Sequence, residues 1–166
     1  MNEPQQLTAL RQLSARVGAD PLLVQAAGGN TSLKDGEVLW VKASGTWLMH
    51  AEERDIMVPV QRHELLQAVA AEDPRAETPQ VFSLADLNSS GLRPSIETVV
   101  HALMPQRVVL HVHCVNTLAH AVQADPEAVL AEKLSGLHWA LIPYRRPGLP
   151  LAEAIMAHKS EQTDVC

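Results

Sequence analysis

The chain has 166 residues, 46% hydrophobic and 19% charged, an ordinary composition for a globular domain able to bury a core without disulfides. Its net charge of −6, with no cluster of Lys and Arg, excludes nucleic acid and anionic membrane as principal partners, and three Trp, one Tyr and one Phe are too few for a base-stacking surface. Cys114 and Cys166 are far apart and form no C-x-x-C pair, and neither a leader peptide nor a membrane-length apolar run is visible, so a reducing cytoplasm is expected.

Leu7, Leu10, Leu13 and Val17 recur at spacings of three and four, which predicts a packing helix over residues 4–17 with Pro4 in its first turn and Gly18 as its stop. Beyond Pro21 comes Ala26-Ala27-Gly28-Gly29-Asn30-Thr31-Ser32. Paired glycines let a ligand approach main-chain amides, and three side-chain donors stand beside them, a combination suited to an oxyanion such as phosphate. For Gly-Gly-Asn alone a plain polar loop is the better reading, and no Lys-Ser or Lys-Thr follows to make a P-loop. Asp35-Gly36 predicts a hairpin joining Ser32-Leu33-Lys34 to Glu37–Lys42, which runs into a second small-residue loop, Ala43-Ser44-Gly45-Thr46. A hairpin brings those two loops to one end of the sheet.

Residues 56–60 read as a further strand and Glu64–Ala71 as a helix. Asn88 to Ser95 is a loop closing onto a helix through Glu97, Val100, His101 and Met104, with Ser95 as N-cap and Pro105 as stop. Glu97 and His101, four apart, share one face; a solvated face is the usual explanation of such a pair. Arg107-Val108-Val109-Leu110-His111-Val112-His113 reads as a short buried strand. Alternation sends His111 and His113 the same way, so two imidazoles stand side by side as half of a metal site; hydrogen-bonded core histidines are the alternative. Helices are expected over 116–122 and, starting at Asp125-Pro126, over 126–134. His138–Tyr144 alternates weakly and reads as a strand, a loop with Arg145 and Arg146 follows, and Leu151–His158 is a last amphipathic helix. His50, His63, His120, His138 and His158 read as surface or packing histidines.

The ordered set Gly28–Ser32, Ala43–Thr46, Pro94-Ser95-Ile96-Glu97 with His101, His111-Val112-His113, and Pro143-Tyr144 with Arg146-Pro147-Gly148 resembles the class II aldolase/adducin family. That family includes fuculose- and rhamnulose-phosphate aldolases, ribulose-phosphate epimerases, dehydratases and decarboxylases. The likeness runs from about residue 5 to the end, and its two loops look most like the aldolase-type domain fused to a short-chain dehydrogenase in rhamnose-pathway proteins.

The resemblance implies one domain over 1–166, a three-layer α/β/α sandwich around a largely antiparallel sheet, assembled as a homotetramer. It implies that His111 and His113 bind Zn2+ or another divalent metal, that Glu97 is the acid/base group, and that Gly29, Asn30, Ser44, Gly45 and Ser95 hold the phosphate of a small phosphorylated sugar. Family members also carry a third metal histidine in an Asn-His-Gly motif on a strand after the last helix. This sequence stops at Thr163-Asp164-Val165-Cys166, where that strand is expected to begin, and has Ile96 where a second phosphate-loop serine is expected. His158 is a weak substitute for the missing histidine. The expectation is a C-terminally short member acting as a metal-dependent lyase on a phosphorylated ketose. Two alternatives stand beside it: a non-catalytic adducin-like assembly module, and a sugar-phosphate epimerase, decarboxylase or dehydratase.

Overall fold

The hairpin at Asp35-Gly36 founds the sheet. In the computed structural model, which describes residues 5–160 and residue 163, β1 (Asn30–Asp35) turns back through Gly36, at φ +56°, into β2 (Val38–Lys42). A left-handed backbone at that position is what glycine supplies without penalty. β3 (Met57–Gln61) pairs with the far side of β2, and β4 (Val108–His111) pairs with the far side of β1, giving an all-antiparallel order β3-β2-β1-β4. Pro59 is tolerated because β3 is an edge strand.

Alternation along these strands sorts the core into two layers. Leu39 and Val41 of β2, Val58 and Val60 of β3 and Val109 of β4 face one way. They pack against α2 (Arg62–Ala70), α3 (Thr98–Leu103) and α6 (Leu149–His158) through Leu65, Ala68, Val99, Ala102 and Ile155. Leu33, Val38, Trp40 and Met57 face the other way and meet Leu7 and Leu10 of α1 (Gln5–Gly18). Each fully buried Leu or Val contributes roughly 1.5–3 kcal/mol through loss of contact with water. This is the three-layer α/β/α arrangement expected from the sequence. α4 (Val115–Ala121) and α5 (Pro126–Lys133) lie after β4 in the chain, and Asp125 caps α5 by accepting from Ala128 N at 3.5 Å.

Several expectations are corrected. Among the described residues the strand around His111 is at the sheet's edge, paired only with β1, and Val108 and Leu110 are 38% and 42% exposed. They line an open apolar groove of about 620 Å³ that also takes in Leu118, Leu130 and Trp139. His138–Tyr144 forms no strand; it carries one bridge residue, Trp139, and Pro143 has no N–H to donate to a ladder. Ser95 is not the N-cap of α3. That position is Glu97, and Ser95 Oγ instead accepts the Glu97 N–H at 3.2 Å, forming the turn before the helix. The expected Pro4 start, Cys166 and the last strand's beginning lie outside the described residues, apart from Thr163.

Candidate active site

The pairing of β1 with β4 sets Asn30 directly opposite His111. Directly opposed residues on neighbouring strands carry their side chains on the same face. That face is the one covered by α3, so the residue at the start of α3 arrives above the pair. Glu97 lies there, only 9% exposed. Its Oε2 accepts a close hydrogen bond from Asn30 Nδ2 and stands 3.2 Å from His111 Nδ1. The solvated-face explanation of Glu97 and His101 therefore fails for both. His101 is fully buried one turn along, its Nδ1 2.7 Å from Ser32 Oγ.

His113 follows β4 and takes its backbone bond from outside the sheet, its N–H donating to Leu23 O at 2.8 Å. Parity still holds: the His111 and His113 rings are neighbours, with centroids 5.1 Å apart. The two glycines of the first loop are shaped by this strand. A Cβ on Gly28 would sit 2.8 Å from His113 Nδ1, and one on Gly29, itself at φ +67°, would sit 3.0 Å from His111 O. The sequence had offered ligand approach as the reason for Gly-Gly. Close approach of the histidine segment is a reason that spacing alone does not reveal.

Electrostatics follow from this crowding. Burial pushes the Glu97 carboxyl up, but the hydrogen bond to His111 and the charge of His111, with the histidine surroundings adding to it, outweigh it and leave the carboxyl below its usual range. Burial, with His111 close by, pushes His101 down to about 3, so it is neutral; Glu97 opposes that shift. Burial and then His111 lower His113, again against Glu97. Cys114, the next residue, is lowered chiefly by hydrogen bonds to the side chain and backbone of Thr117.

The residues expected to hold a phosphate divide. Ser44 and Gly45 are exposed at the end of β2, Gly45 at φ +73° with open space around it. Ser95 is buried beneath them, its N–H donating to Lys42 O at 3.1 Å, while Ser44 N–H donates to Arg93 O at 2.9 Å. Gly29 and Asn30 are buried, and one of the two amide N–H groups of Asn30 is committed to Glu97. The sequence reading missed Lys42. Its Nζ donates to Ala27 O at 2.9 Å and Thr46 O at 2.6 Å, and so ties the first loop to the second as the hairpin argument required.

For a divalent metal the donor set matches in kind: two adjacent imidazoles suit zinc, and the tie from His111 Nδ1 to a carboxylate is the usual way a ligating ring is oriented. It falls short in number. Among the described residues no group of three or more His, Cys, Asp or Glu is arranged to hold a metal. His158 hydrogen-bonds through Nδ1 to Ala154 O, one turn back on its own helix.

An antiparallel sheet between helical layers, with a carboxylate clamped to a strand-end histidine pair, defines an aldolase-type scaffold. The Class II Aldolase and Adducin N-terminal domain family matches residues 9–166, and the chain belongs to it. It is 30% identical over 169 residues to a Bacillus subtilis (strain 168) protein named uncharacterized oxidoreductase YuxG, a match that takes in 92% of this chain and only 23% of that protein. Among solved structures, it is similar to the N-terminal class II aldolase domain of a conserved protein from Thermoplasma acidophilum. That likeness has a TM-score of 0.80 and 26% identity, over 99% of this chain and 81% of the other. L-fuculose-1-phosphate aldolase from Thermus thermophilus shares the fold at a TM-score of 0.52 and 18% identity, over 93% and 72% of the two chains.

Proposed function

We propose that the domain is a metal-dependent aldolase-type lyase that cleaves a small phosphorylated ketose. The observation that carries this reading is Glu97 held between Asn30 and His111, with His113 alongside and two small-residue loops tied together nearby. His111 and His113 are the residues that would hold a divalent ion such as zinc, which supplies Lewis-acid polarisation of the ketose carbonyl.

The chain's own residues do the rest. Glu97 is ionised at neutral pH and so begins as the base. It accepts the proton of the hydroxyl whose carbon becomes the aldehyde. The bond between that carbon and the carbon next to the carbonyl then breaks, its electron pair moving toward the carbonyl. Glu97 returns the proton to the carbon left behind. No water and no redox partner is consumed. Asn30 keeps the carboxylate aimed while its charge changes, and Gly29, Asn30, Ser44, Gly45 and Ser95 hold the phosphate. One domain over 1–166, a homotetramer and a cytoplasmic setting belong to the same reading. Among the described residues no helix is long and apolar enough to cross a membrane. Sedimentation velocity tests the tetramer.

Elemental analysis of protein purified without chelator, together with an assay for dihydroxyacetone phosphate released from a ketose 1-phosphate, tests the proposal. The expected result is bound zinc that His111→Ala loses, and turnover that Glu97→Gln lowers by about 10²–10⁴-fold. Undiminished turnover in Glu97→Gln removes the acid/base role. No metal at any supply favours the assembly module, and an isomerised sugar with no dihydroxyacetone phosphate moves the chemistry to epimerisation. The oxidoreductase name stays with the longer Bacillus subtilis protein.

A further inference from the structure

α3 is six residues long, Thr98–Leu103, and the residue at its N-cap, Glu97, makes no capping hydrogen bond with its side chain. A helix that short holds few internal hydrogen bonds, so its neighbours fix its direction. Two polar ties join this segment to β1: Glu97 Oε2 to Asn30 Nδ2, and His101 Nδ1 to Ser32 Oγ at 2.7 Å. Residues four apart on a helix share a face and lie about 6 Å apart along its axis. Residues two apart on a strand share a face and lie about 6.6 Å apart. Four positions on α3 and two on β1 are therefore nearly equal steps, and the two ties run side by side as a two-point clasp. The His101 N–H also donates to Glu97 O at 3.3 Å, so the two helix residues share the first backbone bond of α3.

The apolar contacts of Val99, Val100 and Ala102 set how deep α3 lies, but such contacts have no direction of their own. A single polar tie would let the helix pivot about it. The second tie, one turn further on, removes that freedom, and with it the freedom of the Glu97 carboxylate 3.2 Å from His111 Nδ1. Packing alone does not account for the second tie. Ser32 and His101 are both 0% exposed, and His101 Nε2 is buried with no hydrogen-bond partner among the described residues. An unpaired buried polar atom costs free energy that an apolar side chain of the same shape would not. Burial, then His111, lowers His101 to about 3, with Glu97 opposing, so the ring is neutral and carries one N–H. The Ser32 hydroxyl both donates and accepts, so it completes Nδ1 in either tautomer.

We propose that Ser32 and His101 are the positioning pair of the site: their tie fixes the rotation of α3 and so holds the Glu97 carboxylate between Asn30 and His111. The pair's part in turnover rests on the lyase reading; the geometry it sets does not. The test compares the wild-type protein with Ser32→Ala and with Ser32→Ala combined with His101→Phe. Three quantities are read: the melt, the side-chain amide resonances of Asn30, which report its hydrogen bond to Glu97, and kcat and KM for a ketose 1-phosphate. Ser32→Ala alone strands His101 Nδ1 and should lower the melt, whereas the double change makes both partners apolar and should restore most of it. The expected result is that the Asn30 amide moves in both variants and that kcat stays about 10–100-fold low in both, with KM unchanged. A tie that only packs the helix predicts the opposite. Either an unmoved Asn30 amide or turnover that returns together with the melt overturns the inference. Absence of turnover in the wild-type protein removes the lyase reading alone, and the Asn30 amide then decides the clasp. If Ser32→Ala does not fold, the double variant decides by the same readouts.

Discussion

Gly28→Ala is the sharpest test of how the site is assembled. The added Cβ would lie 2.8 Å from His113 Nδ1, 2.9 Å from His113 Cε1 and 2.9 Å from Gln25 O. To regain ordinary contact near 3.4 Å the ring must withdraw by about 0.6 Å. Gln25 O has less freedom, since it already accepts the Gly28 N–H at 2.9 Å within the same turn. Overpacking of this kind costs about 1–3 kcal/mol. For a domain of this length that is a fall in Tm of roughly 2–12 °C. A displacement of about half an ångström is also the limit of useful site geometry, so zinc affinity should drop by about 10–100-fold. Gly36→Ala is the control: its Cβ meets nothing within 4 Å, its φ of +56° makes it destabilising by roughly 1–2 kcal/mol, and it is expected to leave zinc affinity alone. Thermal unfolding, zinc competition against a chromophoric chelator and the His113 ring resonances measure the effect. An unchanged melt with unmoved His113 resonances would refute the close packing of Gly28 on His113.

Three further outcomes follow from buried polar groups. Ser14 and Thr31 are both fully buried with their hydroxyl oxygens 2.7 Å apart, so Ser14→Ala should destabilise by about 1–3 kcal/mol, and Ser14→Ala with Thr31→Val should recover most of it; equal urea midpoints for single and double variants would refute the pairing. Lys42, lowered to about 8 by burial, sheds its proton in the folded state while the unfolded chain holds it to 10.5. Over that window the unfolded state binds more protons, so this group makes stability rise with pH. Lys42→Met should flatten the wild-type slope there, and identical slopes would count against a buried ammonium. Asn30→Ala removes a hydrogen bond to an ionised carboxylate, so the Glu97 pKa should move upward in a carbon-detected titration, and a downward shift would contradict the geometry.

The hairpin, the helix stripes and the parity of His111 and His113 were legible because each rests on local rules: a turn dipeptide, a repeat of three and four, an alternation of two. What was not legible depended on tertiary neighbours. Val108 and Leu110 are as apolar as any central strand, and only the sheet order makes them exposed. His138–Tyr144 alternates, but a strand needs a partner to take its backbone bonds, and alternation carries no information about that partner. The spacing of Glu97 and His101 taken alone read most simply as a solvated helix face, and only the sheet packed against that face shows both to be buried. Lys42 gave no signal because a lysine after Val38-Leu39-Trp40-Val41 reads as the strand's exit into water. One hint was available: continuing the alternation would have asked whether its neighbours on both sides, Val41 and Ala43, were the buried ones, and they are buried along with it.

The register of β1 on β4 is the quantity on which the site depends. Asn30 meets His111 only if Thr31, Ser32 and Leu33 meet Leu110, Val109 and Val108, and a slip of one residue would turn both histidines to the face of α1, away from Glu97. Hydrophobic pattern alone holds this pairing weakly, because the β4 side chains on that face are half exposed. The register is instead pinned at the far end. Lys34 N–H donates to Arg107 O at 2.8 Å, Lys34 Nζ donates to Gln106 O at 2.6 Å, Arg107 Nε donates to Lys34 O at 3.3 Å, and Arg107 lies 3.6 Å from Asp35. Lys34 is buried for this purpose, and burial, with Arg62 adding to it, lowers it to about 8. Residues four and five positions from Asn30 and His111 thereby decide which imidazoles face the carboxylate.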